Sequence, residues 1–155
     1  MTIHLRIDNR LIHGQVTTTW TKAVKANSII VADDASAIDE MQKILLKMAA
    51  GATDSEILNI NDASSYINLN KDKNLLIICK NVSDAYKLVR QGTYIDQCNI
   101  GNQAKKPDIE SEQFSRSVFL SKDDLSECIE IKKIIQTHIT IQMMPTDKAV
   151  ELKTK

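Results

Sequence analysis

The stretch Ser28–Cys79 reads SIIVADDASAIDEMQKILLKMAAGATDSEILNINDASSYINLNKDKNLLIIC. Three short β-like runs lie in it, at residues 28–32, 56–60 and 74–79. Between them, apolar residues recur at helix spacing from Ile38 to Met48, and a second helical stretch at 61–69 opens with the cap candidate Asn61. Strands that alternate with helices are typical of βαβ units, so this stretch predicts an α/β fold.

The alternation continues on both sides of this stretch. Further β-like runs occupy residues 3–7, 97–100, 115–120 and 139–143, and further helical stretches occupy residues 15–25, 83–91 and 122–137. We therefore predict an open, mainly parallel sheet with helices on both faces, and expect the helices at 15–25 and around Met41 to pack on it. Because no helix precedes the run at 115–120, that strand near the C-terminus is expected to be antiparallel. No Pro- or Gly-rich linker divides the chain, so residues 1–155 are expected to form a single domain.

Composition excludes several classes of function. Twenty Lys and Arg balance twenty Asp and Glu, which leaves no basic excess for binding nucleic acid. The longest apolar runs fall far short of the roughly 18 residues of a membrane span. Arg6 and Asp8 stand where a secretory signal would be apolar, so a cytoplasmic location is expected. The cysteines lack the spacing of a zinc or redox motif and are expected to be reduced thiols.

The loop after the first predicted strand concentrates reactive side chains. It reads Asp8-Asn9-Arg10-Leu11-Ile12-His13-Gly14-Gln15 and leads into a helix. In open α/β sheets, ligands bind beyond the carboxyl ends of the strands. Backbone N–H groups at Gly14 and Gln15 favour an anion, Arg10 can grip phosphate oxygens, and a neutral imidazole can carry a phosphoryl group. The residue types alone leave open whether His13 is catalytic or only caps the helix.

Two other kinds of ligand chemistry are compared with a phosphohistidine at this edge of the sheet. Neither a dinucleotide fingerprint nor a P-loop follows the first strand, so neither a nucleotide nor any other cofactor is expected, and no metal site is predicted. Asp33 and Asp34 end the second strand and, with Lys80, suggest a phospho-aspartate site. That chemistry needs bound magnesium, whereas the first loop offers His and Arg, so it is the weaker hypothesis.

The segment Arg6–Val16 resembles the signature of a bacterial transport family, the IIB components of the mannose, fructose, sorbose and N-acetylgalactosamine branch of the sugar phosphotransferase system. The resemblance extends over nearly the whole chain, through the segments Ile29–Asp34, Asp39–Met41, Leu46–Ala49, Cys98–Asn102 and Ile141–Asp147. It implies a seven-stranded, mainly parallel sheet and a cytoplasmic phosphocarrier that is peripherally associated with membrane subunits.

The resemblance also implies roles for individual residues. In this family pattern, His13 accepts a phosphoryl group at Nδ1 from a IIA partner and passes it to a sugar, while Arg10 binds the phosphoryl group. The sugar is a hexose or an amino sugar, and IIC and IID membrane subunits transport it. Gly14, Gln15 and Asn9 are then expected to bind phosphate, with Asp8 and Asp34 at the rim of the site.

Three questions stay open at this point. Asn102 and Gln103 stand where many members of the family have Gly and Met, and this departure leaves the sugar undetermined. The oligomeric state is undetermined as well, because a monomer and a homo-oligomer both fit the sequence. The alternative function is a non-catalytic regulatory module that keeps the fold and senses phosphorylated partners.

Overall fold

The computed structural model describes residues 1–153. Within that part of the chain, strands and helices alternate in the order β1 Ile3–Asp8, α1 Gly14–Ala23, β2 Ser28–Ala32, α2 Asp34–Ala37, α3 Glu40–Ala50, β3 Asp54–Leu58, α4 Ile60–Leu69, β4 Leu75–Cys79, α5 Val82–Arg90, β5 Gln97–Asn102, β6 Ser111–Ser115, β7 Val118–Ser121, α6 Lys122–Ile135, β8 Ile139–Ile141 and β9 Val150–Glu151. None of these helices combines the length and the apolar character that crossing a bilayer requires.

Seven strands form one sheet in the order β3-β2-β4-β1-β5-β8-β9. All neighbouring pairs are parallel except β8 and β9, which are antiparallel. Strands β1, β2 and β4 are buried at every position, as expected for parallel strands that are covered on both faces. The predicted α/β fold with a mainly parallel seven-stranded sheet is confirmed.

Successive residues of a strand point to opposite faces of the sheet, and their side chains pack in two separate cores. Leu75, Ile77 and Cys79 of β4 belong to the larger core, which α4, α5 and α6 cover. Leu76 and Ile78 of the same strand belong to the smaller core, which α1 and α3 cover. Helices therefore lie on both faces of the sheet, as predicted. All three cysteines are free and buried.

Three predictions of local structure were wrong. The run at 115–120 is not one strand of the main sheet, because a turn at Arg116 and Ser117 divides it into the antiparallel hairpin β6–β7. The expectation of an antiparallel strand near the C-terminus is itself confirmed, because β9 is antiparallel to β8 in the main sheet. The third strand ends at Leu58, because Asn59 caps α4 with its side chain. Helix α3 packs on the sheet through Leu46 and Ala50, whereas the apolar face around Met41 that was predicted to pack there is exposed.

Parallel strands bring their carboxyl ends to one edge of the sheet. The loop after β1, which runs from Asn9 to His13, therefore lies at the same edge as Asp33 after β2 and Lys80 after β4. This edge holds the candidate residues of both phosphate chemistries, and the geometry there distinguishes them.

Candidate active site

A buried carboxylate organises the loop after β1. Asp8 is completely buried, and its Oδ1 accepts hydrogen bonds from the backbone N–H of Arg10 at 2.9 Å and from Arg10 Nε at 3.4 Å. The Asp8 carbonyl accepts a bond from the Leu11 N–H at 3.0 Å, which closes a turn. The prediction that Asp8 lies at the rim was wrong. The side chain lies beneath the loop because two guanidinium groups supply the partners that a buried charge needs.

The second guanidinium belongs to Arg6, whose role the sequence analysis missed. Arg6 is 2% exposed, and its guanidinium donates to Asp8 Oδ2 at 3.3 Å and to the carbonyls of Gln142 at 3.2 Å and Met143 at 3.0 Å. Burial lowers the pKa of Arg6 to about 10, although the Asp8 carboxylate acts in the opposite direction. Arg6 is therefore still a cation at neutral pH.

Trp20 and Gly101 lie close to the Arg6 guanidinium. The Arg6 Cζ atom lies 4.8 Å from the centre of the Trp20 ring, and Trp20 Nε1 donates to the Met143 carbonyl at 2.8 Å. A Cβ atom on Gly101 would overlap the guanidinium, so that position of β5 requires glycine. A charged residue among the apolar residues of β1 was the available sequence signal, because such a residue has to find partners inside the protein.

His13 lies at the end of the loop, directly before α1. Its side chain is 22% exposed, and its Nδ1 is 3.0 Å from the Leu11 carbonyl oxygen. Since a carbonyl only accepts, Nδ1 carries the proton in this arrangement. The other ring nitrogen, Nε2, is buried without a hydrogen-bond partner and lies 3.7 Å from Asp8 Oδ2. Asp8 therefore lies close to both the His13 imidazole and the Arg10 guanidinium.

Leu11 adopts a backbone conformation that side chains other than glycine rarely take. Its φ is +59°, and its side chain is buried in the smaller core. Such strained residues persist only where surrounding contacts hold them. Leu11 and Ile12 are both buried, and their burial fixes the Leu11 carbonyl that contacts His13.

The first turn of α1 is exposed beside His13. Gly14 has a φ of +54° and nothing lies within 4 Å of the Cβ that another residue would carry there, so glycine is needed for its conformation rather than for space. The His13 side chain does not cap the helix, and Gln15 is exposed. The positive end of the helix dipole and its N–H groups are directed to the surface beside His13.

Arg10 lies at the surface of this site. Its side chain is 40% exposed, and Nη2 lies 3.5 Å from the Met143 sulfur, while Nε is bonded to Asp8. With a neutral imidazole, the cluster of Arg6, Asp8 and Arg10 has a net charge of one positive unit, which suits an incoming anion.

The structure places the other predicted site residues outside this cluster. The Asn9 carbonyl oxygen Oδ1 accepts bonds from Asn102 Nδ2 and the Ala104 N–H, so Asn9 fastens the loop to the end of β5. Asp34 Oδ1 accepts from the Ile60 N–H at 2.9 Å, on the far side of β2. Neither contact joins its residue to His13 or Arg10.

The rival phosphate site is an internally neutralised ion pair. Asp33 is 3% exposed, and Lys80 Nζ lies 2.8 Å from its Oδ1. Burial alone would raise the pKa of the Asp33 carboxyl, but hydrogen bonds from Lys80 and Ser36 outweigh burial and lower it. Among residues 1–153, no group of three or more His, Cys, Asp or Glu side chains is placed to hold a metal ion. A buried, paired carboxylate is poorly placed to accept a phosphoryl group.

Comparison with known proteins gives consistent matches along the chain. The family model described as the PTS system sorbose subfamily IIB component matches residues 3–154. The sorbose-specific EIIB component of the phosphotransferase system of Klebsiella pneumoniae is 32% identical over 153 residues, which are 97% of this chain and 92% of that protein. The mannose-specific EIIAB component of Escherichia coli strain K12 is 36% identical over 103 residues, which are 64% of this chain and 32% of that protein.

A solved structure agrees with the fold over the full chain. The crystal structure of the N-acetylgalactosamine-specific IIB component 1 from Escherichia coli superimposes with a TM-score of 0.90 at 29% identity. The match covers 99% of this chain and 100% of that one.

Proposed function

Because the chain belongs to the sorbose subfamily of IIB components of the sugar phosphotransferase system, we propose that His13 is the residue that carries the phosphoryl group. A IIB component is a phosphotransferase and a phosphocarrier subunit, which receives a phosphoryl group and passes it to a sugar. IIB components operate with a IIA component and with membrane IIC and IID subunits. The name of the mannose relative joins the A and B components, which supports a IIA protein as the donor.

The observation that carries the proposal is the position of His13 between two kinds of positive charge. The imidazole lies directly before the open first turn of α1, and the Arg10 guanidinium is held near it through their common partner Asp8. A phosphoryl group carries about 1.5 to 2 negative charges at neutral pH. Arg10 and the N–H groups that follow Gly14 are positioned to stabilise that charge while the group moves between two histidines.

Transfer to Nδ1 requires a proton to change place on the imidazole. The lone pair of Nδ1 attacks phosphorus, the bond from phosphorus to the nitrogen of the IIA phosphohistidine breaks, and that nitrogen keeps the electron pair. Nδ1 must therefore lose the proton that it donates to the Leu11 carbonyl, and the neutral ring then carries its proton on Nε2. Asp8 Oδ2, 3.7 Å from Nε2, favours this tautomer and stabilises the cationic ring that forms when Nδ1 is phosphorylated.

The phosphocarrier role of the chain also bears on its domain organisation, its place of action and its sugar. We treat residues 1–155 as one IIB domain, because β1 and β9 belong to one sheet. Its proposed place of action is the cytoplasmic face of the membrane subunits, where the phosphoryl group meets the sugar. The sugar is a hexose or an amino sugar, in line with the sorbose-specific and N-acetylgalactosamine-specific relatives.

The experiment is phosphorylation from phosphoenolpyruvate through the general phosphotransferase proteins and a IIA component, followed by mass spectrometry. We expect wild type to gain about 80 Da as an acid-labile phosphate, and His13→Ala to gain none, because no other nucleophile occupies the site. His138→Ala is the matched control, since that imidazole is 70% exposed and pairs with Glu151 away from the loop. Acid-labile phosphate on His13→Ala would refute the assignment. An unmodified wild type would favour the regulatory module.

A further inference from the structure

The two arginines beside the reactive loop meet different kinds of hydrogen-bond acceptor. The Nη atoms of the buried Arg6 donate to one carboxylate and two backbone carbonyls. The Nη2 atom of Arg10 lies 3.5 Å from the Met143 sulfur, and within the described part of the chain this thioether is the only hydrogen-bond partner of the Arg10 Nη atoms. Because a thioether is a weak acceptor, the outer end of the Arg10 guanidinium is contacted but not occupied.

The protein interior fixes the backbone of Met143. Its carbonyl accepts hydrogen bonds from Arg6 Nη2 at 3.0 Å and from Trp20 Nε1 at 2.8 Å, and both donor side chains are buried. The sulfur itself lies 4.0 Å from Arg6 Nη2. The Met143 side chain is half-buried and extends from this fixed point to the Arg10 guanidinium at the surface. The position of the sulfur is therefore set by buried contacts.

The Arg10 guanidinium is contacted at both of its ends. Nε lies 3.4 Å from Asp8 Oδ1, and the Met143 sulfur contacts Nη2 at the opposite end. Two contacts restrict the plane of the group, so less conformational entropy is lost when the guanidinium binds phosphoryl oxygens. The Arg10 side chain is 40% exposed, and without the sulfur its outer end would move freely in solvent.

A sulfur atom suits this position because it orients a guanidinium without neutralising it. A carboxylate would form a charge-assisted pair with Arg10, which an incoming phosphoryl group would have to displace. A neutral amide oxygen would compete with the phosphoryl group less strongly, and an aliphatic side chain would offer no acceptor. The thioether is uncharged and polarizable, so Nη2 can leave it for a phosphoryl oxygen at little cost in free energy.

We propose that Met143 is a positioning residue for phosphoryl transfer. Its sulfur holds the Arg10 guanidinium in the orientation that binds the phosphoryl group, and Nη2 exchanges the sulfur for a phosphoryl oxygen when that group arrives. No covalent bond changes at Met143. The inference rests on the proposed role of His13 and extends the site to a residue 133 positions from Arg10 in the sequence.

The test is single-turnover transfer from phosphorylated IIA, measured at rising IIA concentrations to separate the rate at saturation from the half-saturating concentration. Met143→Leu keeps an apolar side chain of similar volume without the sulfur and is expected to lower the saturating rate about two- to fivefold. Met143→Gln holds Nη2 with an amide oxygen and is expected to lower that rate about two- to tenfold. Both variants are uncharged, and the half-saturating concentration should not change.

A second background separates positioning from a structural role. If Met143 acts through Arg10, the same two substitutions should change the rate less than about twofold when Arg10→Ala is already present, because coupled residues are not additive. Met144→Gln is the matched control. The Met144 backbone bonds to Asp147, and within the described residues its sulfur bonds to no arginine, so this variant should transfer like wild type. Circular dichroism checks that each variant keeps its fold.

Three results would overturn the proposal. Equal saturating rates in wild type, Met143→Leu and Met143→Gln would show that the sulfur does not position Arg10. Equal losses with and without the Arg10 side chain would assign Met143 to the local structure. A raised half-saturating concentration at an unchanged saturating rate would make Met143 a docking residue. Failure of the proposed function is a separate outcome, because wild type itself would then carry no phosphate on His13.

Discussion

Replacing Arg6 by Met tests whether the buried ion pair under the loop stabilises the protein. Methionine approximates the length of the arginine stem but removes the donors to Asp8, Gln142 and Met143. Asp8 is completely buried and would be left with Arg10 as its remaining close cation. Removing one partner of a buried pair typically costs about 3 to 5 kcal/mol, because the other charge is left uncompensated.

The measurement is urea unfolding followed by circular dichroism, with the slope of the free energy of unfolding against urea checked for constancy. A loss of about 3 to 5 kcal/mol corresponds to a fall in Tm of roughly 6 to 20 °C for a chain of this size. Arg90→Met is the matched control. Arg90 is exposed and only stacks on Tyr86, so its loss should cost about 1 kcal/mol or less.

A double-mutant cycle with Asp8→Asn isolates the pair. Because the two side chains are in direct contact, the loss in the double variant should be smaller than the two single losses added together, by about 0.5 to 3 kcal/mol. Two results would refute a stabilising ion pair between Arg6 and Asp8. One is a loss of less than about 1 kcal/mol for Arg6→Met, and the other is additivity of the two single losses to within about 0.5 kcal/mol.

Two further predictions concern the surface arginine and the second ion pair. Arg10→Ala should slow single-turnover transfer from phosphorylated IIA by about 10²- to 10³-fold with little change in IIA affinity, and Arg10→Lys should recover only part of the rate. Equal rates in all three proteins would refute the role of Arg10. For Lys80→Met, the loss in free energy of unfolding should be full at neutral pH. It should shrink on acidification, first as Asp84, whose pKa is raised by burial, gains a proton, and then as the pH falls through the pKa of Asp33, which hydrogen bonds from Lys80 and Ser36 lower against the effect of burial. Urea unfolding at a series of pH values measures this, and a loss that stays constant on acidification would contradict it.

The sequence predicts the fold class and the reactive loop because both depend on local patterns. Alternating strand and helix periodicities define βαβ units regardless of tertiary detail. The helical stretch predicted at residues 122–137 is α6, and the side chain of Ser121 directly before it forms a capping box with Asp124. The loop from Asp8 to His13 lies where a parallel sheet places functional residues. These features need only neighbouring residues to be recognised.

The errors arise where distant residues determine the outcome. Helical periodicity identifies an apolar face on α3 but does not indicate what covers it, and the structure uses Leu46 and Ala50 for the core instead. In sequence, Asp8 has the pattern of a surface residue, whereas in the structure Arg6 is its buried partner. The contact of Arg6 with Met143 spans 137 positions of sequence, so no local pattern could reveal it.

That separation has a consequence for the order in which the protein becomes functional. The reactive loop ends at His13. The buried Arg6 beneath it, however, donates hydrogen bonds to the carbonyl groups of Gln142 and Met143, more than 130 positions later in the sequence. During synthesis, the ribosome must deliver almost the whole polypeptide before Arg6 and Trp20 find these acceptors. A nascent or prematurely released chain therefore carries the histidine without its supporting contacts. Competence for phosphoryl transfer is thereby coupled to synthesis of the segment that contains Gln142 and Met143.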